Sequence, residues 1–305
     1  MANLLELYLK LVGLVLVGFL IGRKLPTQFP TRLGQFLFWV GVPISIVAFL
    51  RKADLSGQVW IAPMFAHAAI LLGAFLAWLT IKWQAYSTKT VPQLPTQGSF
   101  ILAAMVGNTG YLGYPVTLAV VGTKYFAWAL FYDLLGTTLG AYVLGVALAA
   151  RFGGGVKNHW QIAKAISINP ALWSFGLGLL LKRQEIPTLV EFCLEKLAWS
   201  VVALSLMLIG MRLAQLNSWH NLKYASCSLF FKMLLVPLIL GSTLSFFGLK
   251  GAASQVILLQ MAMPPAFTTI ILAETFHLDH NLAVTTLLLG TMLLLVTIPV
   301  WLWLF

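Results

Sequence analysis

Long apolar segments alternate with short polar ones along the whole chain of 305 residues. A helix needs about 20 mainly apolar residues to cross a bilayer, and ten segments come close to that length. They cover approximately residues 4–22, 32–50, 57–81, 99–121, 125–149, 165–181, 196–214, 224–247, 252–274 and 282–304. The polar separators are too short to fold as separate soluble domains. The pattern therefore predicts an all-α integral membrane protein with ten transmembrane helices.

Two of these segments are interrupted by helix-breaking residues. The first break, Gly107–Pro115, reads Gly-Asn-Thr-Gly-Tyr-Leu-Gly-Tyr-Pro and lies in segment four. The second break, Met263–Ala266, reads Met-Pro-Pro-Ala and lies in segment nine. Proline and glycine disfavour helix, and backbone groups freed in hydrocarbon are costly unless protein or water satisfies them. Paired interruptions in the two halves of a membrane protein predict the binding site of a transporter.

The positions of the breaks also predict how the two halves are related. They fall five spans apart, so the halves run through the membrane in opposite directions. We predict two inverted five-helix repeats, residues 1–150 and 165–305, joined by a short cytoplasmic connector over 151–164. In this architecture the two broken helices, four and nine, cross each other near the middle of the membrane.

Composition supports the membrane assignment and limits the partners. The chain is 60% hydrophobic and 9% charged, whereas soluble domains are about 25% charged. Its net charge of +11 does not indicate nucleic-acid binding, because the basic residues cluster at the ends of apolar segments. The lipid bilayer is therefore the expected environment.

The basic residues also predict the orientation. Ten lie in odd-numbered loops: Arg23, Lys24, Arg32, Lys82, Lys89, Arg151, Lys157, Lys164, Arg212 and Lys223. Seven lie in even-numbered loops: Arg51, Lys52, Lys124, Lys182, Arg183, Lys196 and Lys250. Cytoplasmic loops carry the excess of Lys and Arg. We expect the odd loops in the cytoplasm and both termini outside, in the cytoplasmic (plasma or inner) membrane.

Acidic residues and cysteines are scarce. The chain has eight Asp and Glu residues in all, and neither break contains one. Cys193 and Cys227 form no metal-ligand spacing, and no nucleophile–base spacing is visible. The sequence predicts no metal site, no cofactor and no enzymatic activity.

The breaks supply the candidate binding residues. Asn108 and Thr109 offer hydrogen-bonding side chains, and Gly110 offers unwound backbone. A new half-helix begins at Pro115, and its free N–H groups suit an anion. The alternative is a kink that neighbouring helices satisfy. In segment nine, Pro264-Pro265 precedes Thr268, which we count as a binding candidate with both prolines.

Asn169-Pro170 stands at the start of segment six. Asn is a good helix cap and Pro is tolerated in the first turn, so capping alone explains the pair. The alternative is that Asn169 contacts substrate.

Three titratable residues inside apolar segments are candidates for coupling transport to protons. Lys232 and Asp133 are the most deeply placed cation and carboxylate, and charges inside a span indicate function and require partners. A static ion pair between them, which fixes helix packing, is the alternative. His67 titrates near physiological pH if accessible, although a histidine hydrogen-bonded between helices is equally consistent with its position.

The first break resembles the fourth-helix motif of the auxin efflux carrier family, which groups plant PIN proteins with bacterial permeases. Val42-Pro43, Asn169-Pro170, Lys232 with Pro237, and Pro264-Pro265 resemble other motifs of that family. The chain lacks the usual proline of the seventh helix, carries two prolines where the second break usually has one, and lacks the long central loop of the plant proteins.

The resemblance implies ten helices in two inverted repeats, with a scaffold of helices 1, 2, 6 and 7. The transport domain holds helices 3–5 and 8–10. Members move weak organic anions by an elevator-type motion and are often dimeric. Asn108 and Pro115 carry over as crossover residues, and Asn169 as a substrate contact.

We therefore predict an elevator-type secondary transporter, working in efflux, for a small organic anion, a mono- or dicarboxylate, with linkage to protons and assembly as a homodimer. A sodium-coupled symporter on the same fold is an alternative, disfavoured because neither break holds a carboxylate. A non-transporting ligand sensor is another alternative, although such proteins usually carry a soluble signalling domain.

Overall fold

The computed structural model describes residues 2–26, 28–55, 57–88, 91–153, 168–214 and 221–305, without the side chains of residues 2–11 and 88. We number its helices in chain order. They are α1 Ala2–Gly22, α2 Gln28–Lys52, α3 Ile61–Thr88, α4 Leu94–Met105, α5 Tyr114–Val120, α6 Phe126–Gly153, α7 Pro170–Leu181, α8 Thr188–Ala214, α9 Leu222–Phe247, α10 Ala252–Met261, α11 Thr268–Thr275 and α12 His280–Leu304.

The all-helical prediction is confirmed for the described residues, where β structure is limited to one isolated bridge. Six helices, α2, α3, α6, α8, α9 and α12, are long and apolar enough to cross a membrane. The described part of α1, together with α7 and α10, is apolar but shorter. Most of the predicted connector, residues 154–164, lies outside the described residues.

Both predicted breaks interrupt helices in the structure. At the first, α4 ends at Met105 and Val106 is extended. A π-helical turn then covers Thr109–Gly113 and leads into α5, which begins at Tyr114 with Pro115 in its first turn. At the second, α10 ends at Met261 and α11 begins at Thr268. Proline and glycine at these positions account for both interruptions.

The two breaks lie against each other in antiparallel fashion. The backbone N–H of Asn108 donates to the carbonyl of Pro264 at 2.7 Å, and that of Ala266 donates to Val106 at 2.9 Å. An isolated bridge pairs Gly107 with Pro265. Each break therefore satisfies part of the backbone hydrogen bonding that the other one has lost, as a buried interruption requires.

Helices α1 and α8 pack with their backbones in direct contact. A Cβ on Gly18 would lie 2.0 Å from the carbonyl oxygen of Met207, and one on Gly210 would lie 1.8 Å from that of Val15. Small residues at a helix interface allow this close approach between membrane helices. The two helices cannot accept even one extra methyl group there without separating.

Helices α2 and α7 are joined at their ends by two cations, which we call the cation clamp (Arg51 and Lys182). Arg51 donates to the carbonyls of Leu181 and, at 3.0 Å, Gln184. Lys182 donates to Leu50 at 3.1 Å, to Arg51 and to Ala53. Burial lowers the pKa of Lys182 from its usual value. Each helix thus receives donors for its C-terminal carbonyls from the other, where cations are favoured.

Candidate substrate-binding site

A cavity of about 490 Å³ reaches the first break and the start of α11. Ligand sites for small molecules usually measure roughly 300–1,000 Å³ and combine apolar walls with a few polar groups. The lining includes Gln35, Phe38, Trp39, Gly107, Asn108, Thr109, Gly110, Tyr111, Tyr114, Asp133, Thr137, Thr138, Tyr142, Asn169, Arg212, Phe267, Thr268 and Ile271. Its size and lining fit a small polar molecule with an apolar body.

Irregular helical turns supply much of this lining. The backbone forms π-helical turns over Leu37–Gly41, Thr109–Gly113, Tyr132–Thr138 and Ala141–Gly145, and residues of all four face the cavity. Such turns are rare and recur at functional sites, because they redirect side chains that a regular helix would present elsewhere.

Asn108 is a polar side chain of the first break that lines the cavity and keeps free hydrogen-bonding capacity among the described residues. Its backbone N–H is used by Pro264, and its carbonyl accepts from Gly113 at 3.1 Å. Its side-chain amide, however, has no hydrogen-bond partner within the described part of the chain, although the residue is 5% exposed. The break therefore fixes the position of Asn108 and leaves its amide available.

Asp133 lies directly against the first break. Its carboxylate accepts hydrogen bonds from the hydroxyls of Thr109 at 2.5 Å and Tyr114 at 2.6 Å. A Cβ on Gly110 would lie 3.1 Å from its Oδ2 atom, so the absence of a side chain at Gly110 makes room for it. The first break itself contains no carboxylate, but α6 brings one to it from elsewhere in the chain.

Lys232 lies behind the two breaks and does not line the cavity. Its ammonium donates to the carbonyl of Met261, the last residue of α10, at 2.7 Å. A Cβ on Gly107 would lie 3.0 Å from its Nζ atom. Among the described residues no ion pair joins it to Asp133, so the predicted pairing of these two residues is not seen.

The remaining predicted residues divide into two groups. Asn169 and Thr268 line the cavity, and Asn169 also caps α7 by accepting from the N–H of Ala171 at 3.0 Å. Pro115, Pro264 and Pro265 shape the backbone of the breaks and do not line the cavity.

His67 lies apart from the cavity. Its Nδ1 atom is 2.7 Å from the carbonyl oxygen of Pro63, one turn earlier in α3. The structure thus places His67 in a hydrogen bond within its own helix.

Arg212 is the lining residue that sequence reasoning assigned to another role. We counted it among loop cations that set the orientation, but it lies within α8 and faces the cavity. Its guanidinium carbon is 4.5 Å from the ring centroid of Phe267, which follows the second break. The sequence did contain a hint of this location. Arg212 lies between Met211 and Leu213, two residues before the predicted end of segment seven, and therefore inside the apolar segment.

Comparisons with known proteins find similarity to membrane transport proteins along nearly the whole chain. The family model described as "Membrane transport protein" matches residues 4–161 and 156–302. An uncharacterized transporter of Methanothermobacter thermautotrophicus is 29% identical over 301 residues, which cover 97% of this chain and 96% of that protein. An uncharacterized transporter of Methanocaldococcus jannaschii is 28% identical over 300 residues, with 95% of each chain covered.

Proposed function

We infer that this chain, which belongs to the auxin efflux carrier family of membrane transport proteins, is a secondary transporter for small organic anions. The observation that carries this proposal is the cavity of about 490 Å³ whose lining includes the first break and the start of α11. Interrupted helices in the two halves of a membrane protein are where transporters bind their substrates. The multi-pass helical structure supports the same reading.

The substrate would lie between the first break and α11. The amides of Asn108 and Asn169 and the hydroxyl of Thr268 can donate to anionic oxygens, and all three line the cavity. Aromatic side chains of α2 and of the first break, such as Phe38 and Tyr111, would cover the apolar part of the ligand. The rings of these two residues stack with their centroids 5.6 Å apart.

We propose that transport follows the elevator scheme on two inverted repeats, residues 1–150 and 165–305. The hydrogen bonds between the two breaks support this proposal, because each half would supply one crossing helix. Helices 1, 2, 6 and 7 of the ten spans, which correspond to α1, α2, α7 and α8, would form the scaffold. The close packing of α1 with α8 and the clamp between α2 and α7 suit a rigid scaffold.

Asp133 is the proposed site of proton coupling. It is a carboxylate that faces the cavity and is held by two hydroxyl donors, so protonation there would change the charge beside the substrate. Lys232 and His67 lie outside the lining and rank below it.

A sodium-coupled symporter is the second candidate. The carboxylate of Asp133 and the hydroxyl oxygens of Thr109 and Tyr114 are the oxygen ligands that hard cations prefer. The earlier objection to sodium, that no carboxylate lies at a break, no longer holds.

The orientation and assembly remain proposals. The excess of Lys and Arg in odd loops supports cytoplasmic odd loops, external termini and location in the cytoplasmic membrane. With that orientation the cavity lies toward the cytoplasmic side, since Thr31 and Gln35 near the start of α2 line it. This suits efflux, and we propose a homodimer because members of the family are often dimeric.

Reconstitution into liposomes tests the proposal. Purified protein is supplied with a panel of organic acids under an imposed proton gradient and, separately, an imposed sodium gradient. Uptake of at least one acid supports a carrier, and the gradient that drives it separates proton from sodium coupling. Ligand binding without uptake under either gradient would favour the non-transporting sensor and overturn the proposal.

Asn108→Ala tests the position of the site. Loss of the free amide should lower uptake at least about tenfold, the effect of one hydrogen bond to a charged ligand, while the protein still reaches the membrane. Asn281→Ala, which changes an exposed asparagine at the start of α12, is the control. Unchanged uptake by Asn108→Ala would remove the first break from the binding site.

A further inference from the structure

Arg212 carries an unpaired positive charge into the cavity. Lys182 and Lys232 donate to backbone carbonyls, whereas the guanidinium of Arg212 makes no hydrogen bond or ion pair within the described part of the chain. Its electrostatic neighbours there are the ring of Phe267 and the side chain of Tyr111, and neither is an acidic residue. A guanidinium has five N–H donors in a planar fork, and none of those of Arg212 is used by the described residues.

The surroundings of Arg212 hold the guanidinium in place without neutralising it. Phe267 stabilises the cation over its ring face, at 4.5 Å from the centroid. Gly34 of α2 lies on another side, where a Cβ would come within 2.8 Å of an Nη atom. Because α8 is locked to α1 by glycine contacts, the backbone that carries Arg212 is also fixed. The fork is therefore preorganised.

We propose that Arg212 binds the carboxylate of the transported anion and that the site selects monocarboxylates over dicarboxylates. This rests on the proposed function and narrows its substrate class. Planar forks of guanidinium and carboxylate match in two parallel hydrogen bonds, which is the geometry that favours arginine at such sites. Asn108 lines the same part of the cavity and would donate to the carboxylate from the break.

The selection for one carboxylate follows from the charges of the lining. Among the described residues that line the cavity, Arg212 is the one cation and Asp133 the one carboxylate. A second substrate carboxylate would have no cation to meet and would be repelled by Asp133 when the latter is ionised. The lining near α2 and α11 includes Gln35 and Thr268, which are polar but uncharged, and the apolar side chains of Phe38, Val42 and Ile271, so it suits an uncharged body.

The test uses three ligands with the same carbon chain: hexanoate, adipate and hexanamide. Binding to the purified full-length protein is measured by calorimetry and by the ligand-induced rise in melting temperature, and uptake is measured in liposomes. The variants are Arg212→Gln and Arg212→Lys. The control is Arg183→Gln, which removes an exposed cation outside the cavity.

We expect wild type to bind hexanoate at least about tenfold more tightly than adipate or hexanamide, in line with hydrogen bonds to a charged group. Arg212→Gln should weaken hexanoate binding by a similar factor and leave hexanamide unchanged. Arg212→Lys, which keeps the charge but loses the fork, should fall in between. Arg183→Gln should behave as wild type.

The inference and the proposed function fail in different ways. If wild type binds and transports hexanoate but Arg212→Gln does so equally well, Arg212 is not the anchor although the carrier stands. Equal affinity for adipate and hexanoate would overturn the monocarboxylate selection. If Arg212→Gln does not fold, Arg212→Lys carries the test, and unaltered hexanoate affinity in that variant would refute the bidentate contact. Absence of uptake of any acid by wild type would instead refute the transporter itself.

Discussion

The cation clamp and Arg212 place similar side chains in opposite situations. Arg51 and Lys182 donate to carbonyls at the ends of α2 and α7, so their charges hold two helices together. Arg212, on α8, faces a cavity and has no hydrogen-bond acceptor among the described residues. Arg51 donates through both terminal amino groups, and its buried Nε atom has no partner among the described residues. A cation whose terminal donors are engaged stabilises the fold, and one whose terminal donors are free is available to a ligand. The state of the terminal donors separates the two roles better than burial does.

Two carboxylates, Glu195 and Asp133, show a similar contrast between a paired surface charge and a buried charge that faces the cavity. Glu195 pairs with Lys52 at 2.7 Å on a surface where both side chains are over one-third exposed, at 36% and 37%. Asp133 is 7% exposed and has hydroxyl donors but no cation partner within the described part of the chain. We expect the first pair to matter little for stability or transport and the second residue to matter for transport.

Asp133→Asn should have the largest effect. The amide keeps the shape of the side chain but cannot take up or release a proton, so uptake under a proton gradient should fall at least about tenfold, to the level without a gradient. Liposome assays with and without the gradient measure this, with Glu185→Gln as an exposed control. If the variant still responded fully to the proton gradient, Asp133 would not couple transport to protons and its role would be structural.

Lys182→Met should lower the free energy of unfolding by about 1–3 kcal/mol, because carbonyls of α2 lose a charged donor. Denaturant unfolding in detergent measures the change, and the exposed neighbour Arg183→Gln serves as control. Hexanoate affinity should stay at the wild-type value. If affinity fell while stability did not, the clamp would belong to the transport site and the contrast with Arg212 would collapse.

Lys52→Gln should have the smallest effect. Exposed ion pairs contribute about 0–1 kcal/mol, because water screens the charges and both side chains lose freedom on pairing. The same unfolding measurement should therefore barely distinguish this variant from wild type, and uptake should be normal. A loss approaching that of Lys182→Met would show that exposure is a poor guide to the role of a charge here.

Local sequence features predicted the breaks well, because glycine and proline act on their own backbone. Asn108 and Thr268, which line the cavity, were predicted as binding candidates for the same reason, as polar residues within or just after the breaks. Asp133 was identified as a buried charge, but its place beside the first break was not, since 24 positions separate it from Thr109. Which groups approach a break depends on how helices pack, and that is not a property of either segment alone.

The position of Arg212 in the cavity could not be predicted from its own segment either. A cation in the last turn of an apolar helix is normally explained by the helix dipole and by membrane topology, and nothing in its immediate neighbours contradicts that. Only the packing of Phe267 and Gly34 around it shows that the side chain points into a cavity.

The backbone contact between α1 and α8 offers a practical benefit for measuring motion in this protein. At Gly18 and Gly210 the two helices are so close that neither can slide or rotate without a collision. Spectroscopic labels on the outward faces of this pair, for instance at Leu16 and Leu197, define an internal ruler. Displacement of any other helix during a transport cycle can be read against that ruler, free of drift from tumbling or from the surrounding detergent.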